Sequence, residues 1–128
     1  MVLKMDKGVV YILGDLYLDK IVEHYRYSRF QKSTPYLLVE DSPYSEGTDK
    51  DLIAEFCSIS NEITLYWKNI KDEESLIRSL VHEYQHYLQS PSWMQRYYKQ
   101  GYSYTDHPYE IQAYREEEDW NKFKINRL

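Results

Sequence analysis

The chain has a single cysteine, Cys57, among its 128 residues. An internal disulfide is therefore excluded, and so is a zinc site built from several thiolates. A lone cysteine fits a reducing compartment, so a cytoplasmic location is expected. Long apolar runs are also missing. The longest near the start, Gly8-Val-Val-Tyr-Ile-Leu-Gly14, is too short to span a bilayer. It lacks a small-residue cleavage site, so neither a signal peptide nor a membrane partner is expected. It reads as a short first strand or as the lead-in to a helix. Excess positive charge is absent too: the formal net charge is -5. That balance disfavours non-specific binding to phosphate backbones, so no strong nucleic-acid signal is present.

What the chain has in abundance is tyrosine, 15 in all. Disordered chains are poor in aromatics, so a folded protein is expected. Tyrosine also supplies amphipathic surface for ligand contact. The length fits one small domain over residues 1–128, expected to be a monomer. No internal repeat and no low-complexity segment occurs.

Hydrophobic periodicity predicts a helix over 15–30. Asp15 is placed to cap it, and Leu18, Ile21, Val22 and Tyr25 recur at helical spacing. Ser33-Thr34-Pro35 closes that element. Tyr36–Glu40 reads as a strand and residues 41–51 as a loop. Leu52–Ser58 and Glu62–Lys68 read as two more strands, joined through a tight turn at Ser60-Asn61 into an antiparallel hairpin. A helix is predicted from about Asp72 to Gln89, with Asp72, Glu73 and Glu74 at its positive end. A short helix over 92–100 would stop at Gly101. A last helix starts near Asp106 or His107, with Pro108 in its first turn, and runs to about Lys122. Beyond it, a frayed tail is expected over 121–128. The class is α+β, with helices packed on a small, mainly antiparallel sheet.

Within the helix at 72–89 stands His82-Glu83-Tyr84-Gln85-His86. At 100° per residue, Leu76, Ile77, Leu80, Val81, Tyr84 and Leu88 form one apolar stripe. His82 and His86 lie one turn apart on another face, with the small residues Ser75 and Ser79 behind them and Ser90 ahead. Two neutral imidazoles at that spacing fit two corners of a zinc tetrahedron. The adjacent carboxylate of Glu83 then reaches a metal-bound water as general base. Zinc lowers the pKa of that water, and the same acid returns the proton to a leaving amine. A chance H-E-x-x-H arises in roughly one chain in a hundred of this composition, and the alternative is two exposed histidines on a charged helix.

A catalytic zinc needs a third protein ligand. The long form of the motif fails here, since Gln89 stands in place of its glycine and Ser92 in place of its third histidine. Glu110 is the best source, in the first turn of the last helix. Ala113 shares its face and permits close helix approach. Glu110 also suits a capping role, and His107 is either a rival ligand or an N-cap. Glu116, Glu117, Glu118 and Asp119 read as a solvated face, one of them available to orient a ligand histidine. His24 is placed at the border of the first helix, not at a metal. Cys57 reads as a small buried apolar residue.

The pair His82-Glu83-Tyr84-Gln85-His86 and Glu110-Ile-Gln-Ala113 resembles the zincin metallopeptidases, more narrowly the gluzincins. Chain size and element order resemble the minigluzincins, over roughly residues 15 to 120 in layout. The resemblance implies a zincin-like fold: an N-terminal helix, a small sheet, an active-site helix and a glutamate helix. It implies Zn2+ held by His82, His86 and Glu110, with Glu83 as general base in peptide-bond hydrolysis. It further implies that the strand around Ile63–Trp67 borders the cleft, where an extended peptide or protein substrate pairs with its edge. Tyr114 stands where some gluzincins have an aspartate that holds a histidine. Tyr109 and Tyr114 flank Glu110 and are candidates for stabilising an oxyanion.

Two other functions fit the same motif. One is a latent, protein-binding zincin in which the tail from Asn121, with Phe123, Ile125 and Arg127, lies in the cleft. The other is a DNA-associated protease of the SprT-like type, using His107 and the basic-aromatic patch Arg96-Tyr-Tyr-Lys99.

Overall fold

Asp6 starts the first helix. Its carboxylate accepts a hydrogen bond from the Val9 backbone N–H at 2.9 Å, and α1 runs over Lys7–His24. The computed structural model describes residues 4–26, 34–41, 51–89 and 108–125. The run Gly8–Gly14 is thus the first half of α1, and Asp15 lies mid-helix instead of capping it. The periodic reading began too late because α1 is apolar on more than one face. Val10, Leu13, Tyr17, Leu18 and Ile21 enter the core, while Tyr11, Ile12 and Leu16 remain exposed. The helix also ends at His24, short of the expected residue 30.

Strands β1 (Tyr36–Glu40), β2 (Ala54–Cys57) and β3 (Glu62–Tyr66) form one sheet in the order β1-β3-β2. The β2–β3 hairpin is antiparallel as expected, with Ala54 opposite Leu65 and Cys57 opposite Glu62. Its connection is wider than a two-residue turn and passes through Asn61 at φ 56°, a left-handed conformation that asparagine tolerates. β1 pairs with β3 in parallel, so the sheet is mixed. The segment between Glu40 and Ala54 is too long for a tight hairpin, so no turn constrains β1 to run antiparallel to its neighbour.

Leu37, Val39, Ala54, Phe56, Ile63 and Leu65 contribute to one core with the helices. A Cβ at Gly14 would lie 3.2 Å from side-chain carbons of Leu37 and Leu65, so glycine lets α1 settle close on β1 and β3. Trp67 and Lys68 leave the strand for a 3₁₀ turn at Trp67–Asn69. Trp67 Nε1–H donates to Asp41 Oδ1 at 2.8 Å and Asn69 Nδ2–H to the Leu52 carbonyl at 2.8 Å. Those side-chain bonds hold the chain out of the ladder. Cys57 is exposed, not buried, because alternation along β2 places it away from the core-facing Ala54.

Helix α2 spans Glu73–Leu88. Asp72 caps it, with Ser75 completing a reciprocal capping box. Leu76, Ile77, Leu80, Val81 and Tyr84 are fully buried, as the apolar stripe requires. Helix α3 spans Pro108–Glu117 and packs along α2. It stops before Lys122 because its last N–H groups bond three residues back, Glu118 to Arg115 and Asp119 to Glu116. A 3₁₀ turn at Trp120–Phe123 follows. Phe123 is buried in the core, and its carbonyl accepts from Lys20 Nζ, so this part of the tail is anchored. The architecture is α+β in the expected order: helix, sheet, then two helices in contact. No helix among the described residues is long and apolar enough to cross a membrane. The helix expected at 92–100 and most of the loop at 41–51 lie outside the described residues.

Candidate metal centre

α2 turns its second polar face toward α3 and the β2 side of the sheet. A cleft of about 600 Å³ opens there. α2 contributes Ser75, Ser79, His82, Glu83 and His86, and α3 contributes Glu110, Tyr114 and Glu117. Ser75 and Ser79 thus sit where the helical wheel placed them. Ala113 is fully buried at the α2–α3 seam, and its small side chain lets the two helices approach.

The structure brings His82, His86 and Glu110 together. Glu110 Oε2 lies 3.0 Å from His82 Nε2, and Oε1 lies 2.7 Å from His86 Nε2. The two imidazoles are 4.8 Å apart and nearly perpendicular. One ligand atom from each of the three residues falls within 4.8 Å of the others. Donors around a tetrahedral zinc lie about 3.3 Å apart, so shifts of roughly 1.5 Å would bring this set to bonding geometry. Two imidazole nitrogens and a carboxylate match a catalytic zinc's protein ligands in kind and number. Glu110 is 2% exposed and contacts both histidines. His107 lies outside the described residues.

Electrostatics follow from that packing. Burial alone would lower the His82 pKa, but hydrogen bonds to Glu110 and Glu117 and the charge of Glu83 raise it to about 10. Burial alone would raise the Glu110 pKa, but both histidines hold it at about 2. Glu83 differs. Burial lifts it to about 7, against the pull of His86 and His82. Its Oε2 is buried with no hydrogen-bond partner among the described residues. A buried polar oxygen left unpaired is costly, which makes this group beside two histidines a candidate for a role at the site.

Sequence reasoning missed which acid orients His82. Glu117 Oε2 lies 2.9 Å from His82 Nδ1, so Glu117 is not part of a solvated face. The signal was available: residues 110 and 117 are two helical turns apart and share a face. Tyr114 takes the intervening turn and packs its ring edge-on to His82, with centroids 4.7 Å apart. Glu116 also has a partner, accepting from Tyr25 Oη at 3.3 Å. A histidine ligand loses orientation without its outer partner, so Glu117→Ala is expected to weaken any metal binding at this site about 10–100-fold. A chelator competition titration measures this.

The strand beside the cleft needs correction. β3 is central and paired on both sides, so it offers no open edge. Leu52–Phe56, on and before β2, line the cleft instead. Among the described residues β2 pairs only with β3. His24 sits at the end of α1 against Phe123, away from the metal residues. Of the two tyrosine candidates, Tyr114 lines the cleft, and the Tyr109 side chain lies outside what the structure describes.

No family model, no curated protein and no solved structure matches the chain.

Proposed function

We propose that the chain is a zinc-dependent metallopeptidase that hydrolyses peptide bonds. One observation carries the reading: His82, His86 and Glu110 converge in a cleft that also holds the buried carboxylate of Glu83, whose Oε2 has no hydrogen-bond partner among the described residues. His82 and His86 would hold the ion through Nε2, and Glu110 through its carboxylate. A zinc ion there supplies Lewis acidity and a water acidified toward neutrality. Glu83 does the proton work. It accepts a proton from the attacking water and returns it to the departing amine. Glu117 keeps the His82 ring in place throughout.

The outer edge of β2, which pairs with no strand among the described residues, supports a polypeptide substrate. An extended peptide laid there gains main-chain hydrogen bonds, while Leu52, Ile53, Ala54 and Phe56 supply apolar wall. Neither alternative gains support. Phe123 is packed in the core and is not among the residues lining the cleft. The DNA-associated reading rests on Arg96–Lys99 and His107, which lie outside the described residues.

The test is digestion of a mixed peptide library by zinc-loaded protein, read by mass spectrometry. Internal cleavages that a chelator abolishes and added zinc restores are expected. Stoichiometric zinc with no cleavage of any peptide would remove the peptidase assignment and leave the metal site.

A further inference from the structure

The two histidines are held from behind by different chemistry. His82 meets a carboxylate, whereas His86 Nδ1 meets an amide oxygen, Gln89 Oε1, at 2.9 Å. A carboxylate presents an acceptor either way round. An amide does not: turned over, Gln89 would aim an N–H at Nδ1 and favour a hydrogen on Nε2, the wrong tautomer for a metal ligand.

Something must therefore set the orientation of Gln89. Its Nε2–H donates to Gln112 Oε1 at 3.0 Å. With its nitrogen committed to Gln112, the Gln89 oxygen faces His86. Since that oxygen only accepts, His86 Nδ1 carries a hydrogen toward it, which leaves Nε2, 2.7 Å from Glu110 Oε1, as the ring nitrogen that would face a metal. Gln112 stands two residues after Glu110 on α3. The bond that orients Gln89 thus also ties the ligand-bearing turn of α3 to the end of α2.

We infer that Gln89 and Gln112 form a positioning relay for the metal centre, Gln89 selecting the His86 tautomer and Gln112 fixing which end of Gln89 faces it. The inference rests on the metal-site reading above. The relay is serial, so its parts are not additive. Once Gln89 is gone, Gln112 has nothing to orient. Both side chains are at least partly exposed, so their removal leaves the core untouched.

The experiment compares wild type, Gln89→Leu, Gln112→Leu and the double variant by zinc competition with a chromophoric chelator. Far-ultraviolet circular dichroism confirms folding. Gln89→Leu is expected to bind zinc about 10–100-fold more weakly, in the range of other outer-partner losses. Gln112→Leu should lose several-fold, and the double variant should be no weaker than Gln89→Leu alone. In zinc-loaded wild type, nitrogen NMR of the His86 ring should show a slowly exchanging Nδ1–H that Gln89→Leu abolishes. Unchanged zinc affinity in Gln89→Leu would overturn the relay, and so would losses that multiply in the double variant. Failure of wild type to take up zinc would overturn the metal-site reading and the relay together.

Discussion

Glu110→Gln should abolish stoichiometric zinc binding, with affinity down by more than about 100-fold, since a ligand loss exceeds the effect of an outer partner. The amide keeps the size of the side chain but not its charge. The metal-free protein should also suffer. His82 and His86 both contact the Glu110 carboxylate, which is 2% exposed. Removing one member of a buried charged pair strands the other, at a cost on the order of 3 kcal/mol. For a domain of this size that lowers Tm by roughly 10 °C or more. Zinc content and thermal melting of the purified variant check both effects. His107→Ala, measured beside it, should keep its zinc; loss of zinc only in that variant would move the third ligand to His107.

Glu83→Gln separates binding from catalysis. Glu83 is not among the three groups that converge, so zinc affinity should stay within a few-fold of wild type. The proton acceptor is lost, and turnover should fall by about 10²–10⁴-fold. A fully active variant would remove Glu83 from the mechanism. The same substitution carries a signature in the metal-free protein. Burial raises the folded-state pKa of Glu83 from 4.5 to about 7. Below pH 4.5 the carboxyl is neutral in both states and costs nothing. As pH rises toward 7 the unfolded state ionises first, and stability is lost. Above pH 7 the accumulated loss is about 3 kcal/mol, at 1.36 kcal/mol per unit. Glutamine does not titrate, so Glu83→Gln should match wild type near pH 4 and exceed it at pH 8. Denaturant melts at the two values read the difference.

The parts of this protein legible in its sequence are those with local causes. α2 declared itself through the Asp72 cap, the apolar stripe and the histidine pair, all within one stretch of chain. β1 and the β2–β3 hairpin followed from alternation and a turn. Glu110 could be reached because Pro108 marks a helix start and Ala113 a close approach. What the sequence concealed depends on distant contacts. α1 carries apolar residues on several faces, so its start at Asp6 had no periodic signature. The parallel partnership of β1 and β3 is set by a long connection and not by a turn. Glu117 sat in a run of four acids, and only the packing of α3 on α2 selects it. Gln89 stood out for the glycine it replaced, while its bond to His86 became visible only in space.

X-ray absorption at the zinc edge of the loaded protein tests the central claim most directly. Two nitrogen scatterers at about 2.0–2.1 Å with imidazole outer-shell features, and oxygen at about 2.0–2.2 Å, are predicted. Both imidazole contributions should persist in Glu83→Gln, and one should vanish in His82→Ala. A sulfur scatterer near 2.3 Å, pointing to Cys57, or an all-oxygen shell would contradict it.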